Sequence, residues 1–148
     1  MEPSNPATLP PWAARLLEDA RVARLGFLDE EGHPRVLPVT FAVTEGRIWS
    51  AVDEKPKRHP ERELARVRYL RRDPRAALTV DRYADDWEEL AWVQVLGRIM
   101  IVEIAEAPSA LESLSAKYAP YRDSPPPGPL LALDVARTVC WRASPGEP

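Results

Sequence analysis

The sequence predicts an α+β domain, mainly antiparallel β, whose strands close into a small split β-barrel with flanking helices. Three observations carry that reading. The chain has 148 residues, 45% hydrophobic and 29% charged, which is one domain's worth of ordinary globular sequence. Short strand-like runs alternate with turn strings such as Asp29-Glu30-Glu31-Gly32 and Glu45-Gly46. Helical spacing is confined to three stretches. Strands in so short a chain are most economically closed on themselves, because closure removes exposed edges.

Four prolines in the first eleven residues mark 1–10 as a flexible lead. The domain is expected over 11–143, with 144–148 a flexible tail. Trp12, Leu16, Leu17 and Ala20 share a helical face, and Pro11 suits a first turn, so a helix is expected over 11–20. Val22 to Leu28, Arg35 to Val43 and Arg47 to Val52 read as three strands of an antiparallel meander, joined by the two turns. Pro56 and Pro60 break regular structure across 53–60. A second helix begins near Glu61, buries Leu64, Val67 and Leu70, and stops at Asp73-Pro74. Ala76 to Tyr83 and Leu90 to Ile104 are strands, the latter with a bulge expected at Gly97. Ser109 and Glu112 match a capping box for a third helix carrying Leu111, Leu114 and Tyr118. Pro125 to Pro129 form a stiff connector, and Leu130–Val135 and Val139–Ala143 read as two final strand pieces.

Composition narrows the chemistry. One cysteine, Cys140, excludes an internal disulfide and a multi-cysteine zinc site, and is expected to be a small core residue. His33 and His59 sit beside prolines as loop residues, so no metal centre is expected. No apolar run approaches the ~18 residues of a membrane span. The first six residues lack the basic start and apolar core of a signal peptide, so a cytoplasmic protein with no membrane partner is expected. Residues 55–75 hold nine basic and three acidic side chains, so that segment carries +6 and the rest of the chain −9. A concentrated basic segment on an acidic protein points to a local anion site. A nucleic-acid surface would need a broader basic face and an aromatic platform, so no nucleic-acid partner is expected.

Particular strings then matter more than periodicity. Arg35-Val36-Leu37-Pro38-Val39-Thr40-Phe41 is followed by Ile48-Trp49-Ser50-Ala51-Val52-Asp53-Glu54-Lys55-Pro56-Lys57-Arg58. Asp81-Arg82-Tyr83-Ala84-Asp85-Asp86-Trp87 and Trp92-Val93-Gln94-Val95-Leu96-Gly97-Arg98 come after. In this order and spacing, over roughly 12–143, they resemble the pyridoxamine 5′-phosphate oxidase-like split β-barrel family. The resemblance is to its branch of F420-dependent oxidoreductases in particular. It implies a homodimer with two cofactor sites at the subunit interface. It implies that Pro38, Val39 and Thr40 line the cofactor ring. Ser50, Ala51, Val52, Lys55, Lys57 and Arg58 would hold the phosphate, and the strand carrying Gln94 would contribute from the interface.

The residue chemistry agrees with that placement. Lys55 and Lys57 stand two apart in an extended, proline-stiffened segment, so they share a side at roughly 7 Å. With the Ser50 hydroxyl they can grip one phosphate through charge-assisted hydrogen bonds, and Arg58 adds donors for a polyglutamate tail. Pro38 reads as an edge-strand proline placed where no ladder bond is needed, or as part of a backbone offered to a ring. Tyr83, Trp87 and Trp92 read as core or dimer-contact aromatics, or as pocket walls completed by the partner. Asp81, Asp85 and Asp86 read as turn and salt-bridge residues. The function expected is transfer of hydride between F420 and a small organic substrate. FMN is the alternative cofactor, and a non-catalytic flavin, F420 or haem binder on the same barrel is the alternative class.

Overall fold

The structure is a computed structural model that describes residues 9–52 and 64–144. Its order is α1 (Pro11–Asp19), β1 (Ala23–Leu28), β2 (Pro34–Val39), β3 (Ala42–Thr44) and β4 (Arg47–Ala51), then α2 (Ala65–Arg72) and β5 (Arg75–Arg82). It continues through β6 (Ala91–Val102), α3 (Pro108–Lys117), α4 (Ala119–Asp123) and β7 (Leu130–Arg142). Single 3₁₀ turns at Trp87–Glu89 and Ile104–Glu106 complete it.

The seven strands form one antiparallel sheet in the order β2-β1-β5-β6-β7-β4-β3. Its two ends, β2 and β3, are linked by Thr40 and Phe41 alone. From Val39 to Ala42 the chain spans no more than about 11 Å. Laid flat, seven strands would set those ends about 29 Å apart. The sheet must therefore curl until its ends meet, which makes a barrel. Among the described residues no ladder joins β2 to β4, and the barrel is split along that seam. The expected meander is present in its connections. Its middle strand, expected unbroken over 35–43, bends at Thr40-Phe41, and each half lies at one end of the strand order.

Two apolar clusters fill the structure. Leu25, Phe27, Phe41, Val80, Val93, Val95 and Leu131 pack inside the barrel, with Ala13 and Leu17 of α1 and Val67 and Leu70 of α2 joining them. Outside, Ala42, Trp49, Ala51 and Ala132 receive Ala110, Leu114, Tyr118 and Tyr121 of α3 and α4. β4 is consequently buried on both faces. Cys140 packs against the inner cluster, and burial raises its thiol pKa. The Glu45-Gly46 turn has φ of 56° and 74°, the left-handed pair that a two-residue hairpin requires.

Three expectations are corrected. The two final strand pieces are one strand of 13 residues. Its register against β6 steps from Leu96↔Arg137 to Gly97↔Val135, so Ala136 is the extra residue of a bulge, at the expected glycine. Ser109 does not cap α3: the helix starts one residue earlier, at Pro108, after Ala107, with no side-chain cap. A proline at N1 lacks one of the N–H groups a helix start would orphan, and its fixed φ suits the first turn. α4, a helix of five residues, was not expected, since Pro120 and the following proline run disguise it.

Candidate functional site

The expected site residues begin on β2. Asp29 N–H donates to the His33 carbonyl at 3.0 Å, and the β1–β2 register continues from that pair. Hydrogen-bonded pairs alternate along an antiparallel ladder. Ala23↔Val39, Leu25↔Leu37 and Phe27↔Arg35 are thus bonded pairs, and Arg24↔Pro38, Gly26↔Val36 and Leu28↔Pro34 are not. Both prolines of β2 fall at positions whose backbone faces away from β1. That is where a missing N–H costs no ladder bond. The same geometry directs the Pro38 carbonyl outward, along the split. Pro38 is exposed, while Val39 is buried in the barrel core.

Thr40 sits on the bend, and its polar groups are engaged. Its hydroxyl lies 2.7 Å from the Tyr121 hydroxyl. Its carbonyl accepts the Ser50 hydroxyl at 2.7 Å. Ser50 is a buried residue whose hydroxyl proton is directed across the seam to Thr40. Ala51 and Val52 are buried as well. The Val52 N–H donates to the Pro129 carbonyl at 3.0 Å, and its own carbonyl accepts Gly128 N–H at 3.1 Å. Those backbone groups anchor the end of β4 to the connector before β7, which leaves neither for a ligand. Lys55, Lys57, Arg58 and His59 lie outside the described residues.

Gln94 is on the outward face of β6, and its side-chain amide donates to the Thr79 hydroxyl at 3.4 Å. The register builds three cross-strand rows on this face. Pro38, Arg24, Thr79, Gln94 and Val139 form one, and Val36, Gly26, Ala77, Leu96 and Arg137 the next. Asp81, Trp92 and Trp141 form the third. Gln94 is therefore in the same row as Pro38 but three strand spacings from it, about 14 Å along the sheet. A single chain does not bring Gln94 and Thr40 together.

Sequence reasoning did not find the apolar character of these rows. Their central positions are small or aliphatic, Gly26, Ala77 and Leu96, and Val36 is 68% exposed. Trp141 is 38% exposed at one end of the third row. Tyr83 and Trp87, on the β5–β6 hairpin, are 72% and 70% exposed, so neither is a core residue of this chain; Trp92 is partly buried. Asp81 pairs with Arg24 at 3.3 Å, and Asp86 accepts Glu88 N–H at 3.0 Å, the roles expected of them. His33 is an exposed turn residue near Glu31. The signal that could have found the face is the register itself. Apart from the paired Arg24 and Asp81, the alternate residues of 24–28, 77–81 and 92–96 on this face carry none of the charges that a solvated sheet face carries.

The bend has a further set of neighbours that the sequence did not advertise. The Tyr118 hydroxyl donates to the Arg21 carbonyl at 2.9 Å and accepts Phe41 N–H at 3.1 Å. Burial pushes its pKa up. The Lys117 ammonium lies 3.8 Å from the Phe41 ring centroid, buried and without a hydrogen-bond partner among the described residues. Loss of water there lowers its pKa to about 8, helped by the Arg21 charge.

Among the described residues no helix is long and apolar enough to cross a membrane, and no group of three or more His, Cys, Asp or Glu could hold a metal. No curated protein matches the sequence. Solved structures share the fold. A haem-binding protein from Mycobacterium smegmatis is 21% identical with a TM-score of 0.71, over 91% of this chain and 54% of that one. The chain thus spans about half the length of that protein. A conserved hypothetical protein, Rv2991, from Mycobacterium tuberculosis is 24% identical with a TM-score of 0.71, over 88% of this chain and 82% of that one. An FAD-binding protein from Mesorhizobium loti is 17% identical with a TM-score of 0.67, over 89% and 94%. The family model for pyridoxamine 5′-phosphate oxidase matches residues 9–141, nine-tenths of the chain and every strand of the split barrel up to the last residue of β7. The chain belongs to the pyridoxamine 5′-phosphate oxidase family.

Proposed function

We propose that the protein is a homodimeric oxidoreductase that binds the deazaflavin F420 and transfers hydride between it and a small organic substrate. The observation that carries the reading is the division of its site residues across one continuous sheet face. Pro38, at the edge, offers an outward carbonyl that can accept a ring N–H. Gln94 and Trp92 stand about 14 Å away on a face whose middle, Gly26, Ala77 and Leu96, is apolar and only partly buried. A second copy seated on that face in two-fold symmetry would carry its own Gln94 and Trp92 toward this chain's Pro38. Small residues at Gly26 and Ala77 let two sheets approach closely. Tyr83 and Trp87 would then become pocket walls.

The described residues fit the ring end of such a cofactor through Pro38 and the outer face. The phosphate end rests on Lys55, Lys57 and Arg58, which the sequence groups and which lie beyond the end of β4. Ser50 and Thr40 are not assigned to the ligand, because their hydroxyls are already paired. The cofactor, when bound, supplies the hydride chemistry. This chain's part is to bind, to orient the ring against the β2 edge and to exclude water with the partner's aromatics.

F420 is preferred because Lys55-Pro56-Lys57 and Asp81-x-Tyr83-x-x-Asp86-Trp87 resemble that branch. The FAD-binding and haem-binding structural neighbours favour a second reading, a binder of FMN, FAD or haem on the same barrel. Steady-state oxidation of reduced F420, followed with a panel of enones and quinones, separates the two. Turnover supports the enzyme. Absence of turnover together with tight binding of a flavin or haem supports the second reading.

A further inference from the structure

Protein interiors leave few voids larger than a water molecule. This one holds a cavity of about 170 Å³ where α1, the β3–β4 hairpin and the bulged stretch of β7 meet. Leu17, Val43, Ile48, Val95 and Val135 wall it, with Thr138 the buried polar side chain among them. Two small residues of the lining make the room, Ala14 on α1 and Gly46 at the hairpin tip. The backbone does not force the void. Leucine has nearly the helix propensity of alanine, so α1 would accept it at position 14. An unfilled cavity costs stability, and a larger side chain there would recover it. Glu18, exposed, and Arg47, half-exposed, complete the lining, and the Arg47 guanidinium is paired with Asp134 at 2.7 Å. Val95 follows Gln94 on β6, and consecutive strand residues face opposite sides of a sheet. The sheet therefore stands between this cavity and the outer face that carries Gln94 and Pro38.

We propose that the cavity is a ligand site separate from the cofactor's, and that it takes one neutral apolar molecule the size of a single aromatic ring. Cavities of about 150 Å³ with apolar walls stay dry and take up benzene. A charged ligand does not suit it. Glu18 repels an anion, Arg47 is committed to Asp134, and a charge within the aliphatic walls would lose its water without a partner. The start of the chain is a poor occupant. Leu9 lines the cavity, and the eight residues before it hold a single large apolar side chain, Met1, among small, polar and proline residues. The inference does not depend on the cofactor reading.

The test uses the full chain without cofactor. Fluorobenzene is titrated and followed by fluorine NMR, toluene by thermal melts, and benzoate is the charged control. Wild type should bind fluorobenzene saturably. Toluene at roughly a tenfold excess over its dissociation constant should raise Tm by about 3–6 °C. Benzoate should bind about tenfold more weakly or worse. Ala14→Leu fills the cavity and should weaken fluorobenzene binding by about tenfold or more, while its own Tm stays level or rises. Ala14→Met, whose flexible side chain adapts to an irregular gap, serves the same comparison if the leucine variant does not fold. Absence of saturable binding by wild type overturns the inference, and so does wild-type affinity in a folded filling variant. Fluorobenzene binding that appears only when residues 1–8 are removed would make the start of the chain the occupant and overturns it as well.

Discussion

Lys117 shows at the scale of one residue what the fold demands of its closing bend. Its ammonium is buried over the Phe41 ring and donates no hydrogen bond among the described residues, and this loss of water lowers its pKa from the ordinary 10.5 to about 8. Arg21 adds to the depression, and Asp19 and Glu18 oppose it. The sign of the stability effect follows. Below pH 8 folded and unfolded chains are both protonated, and the folded one bears the full cost of the desolvated charge. Between about pH 8 and 10.5 the unfolded chain holds a proton the folded one has released, so stability gains with rising pH. The contact with Phe41 offsets part of that cost. Lys117→Met keeps the stem and removes the charge. It should raise Tm at pH 7, and its advantage over wild type should shrink as pH approaches 10.5. Thermal melts of both proteins across that range check it; a constant difference contradicts it. None of this was legible in the sequence, where Lys117 is one polar residue near a helix end. The same holds for Ser50. Its place in a strand beside Lys55 and Lys57 made it look like a phosphate ligand, but strand alternation aims it inward. A hydroxyl's partner 10 residues away is a property of the closed barrel and not of the local string.

Elements were more legible than residues, and the reason is visible in β6 and β7. Both are long alternating runs, and Gly97 marked the bulge because a side chain there has no room. A Cβ on Gly97 would run into the Asp134 carbonyl, with the Leu133 side chain also close at 3.2 Å. That contact is with backbone on the paired strand, which cannot rotate away as a side chain can. Gly97→Ala should therefore destabilise the protein by about 2 kcal/mol or more. Urea denaturation measures the loss, and a change under about 0.5 kcal/mol would mean that β7 moves aside freely. β7 itself was read as two pieces because Ala136-Arg137 interrupts the apolar pattern. The bulge explains the interruption: one extra residue shifts which side chains face inward. The N-terminus of α3 was misread for a related reason. Ser109 and Glu112 have capping-box spacing, but the helix starts at Pro108, which puts Ser109 inside the first turn and Ala107 at the N-cap.

At the scale of the whole molecule, the sequence made the barrel legible and left its outer faces unassigned. α3 and α4 cover the outer face of β3, β4 and β7. The rows on β2, β1, β5 and β6 are left to a partner in the proposed dimer. Ala77 lies near the middle of that face, between Gly26 and Leu96. Ala77→Glu would place a charge in the proposed interface while its strand keeps both neighbours. Light scattering should give a dimer mass for wild type at micromolar concentration and a monomer mass for the variant. A monomeric wild type removes the shared site. The phosphate end of that site makes the more direct test. Lys55 and Lys57 are two of the chain's three lysines, set two residues apart, against seventeen arginines elsewhere in it. Each charged hydrogen bond to a phosphate contributes about 1.5–3 kcal/mol. Losing both should weaken binding by at least about a hundredfold, since 1.4 kcal/mol is tenfold. The decisive measurement is a fluorescence titration of wild type and of Lys55→Ala/Lys57→Ala with F420 and with FMN, at low and high salt. The account predicts tight F420 binding by wild type, weakened by salt and nearly abolished in the double variant. Equal binding by both proteins, or no binding of either cofactor by wild type, would contradict it.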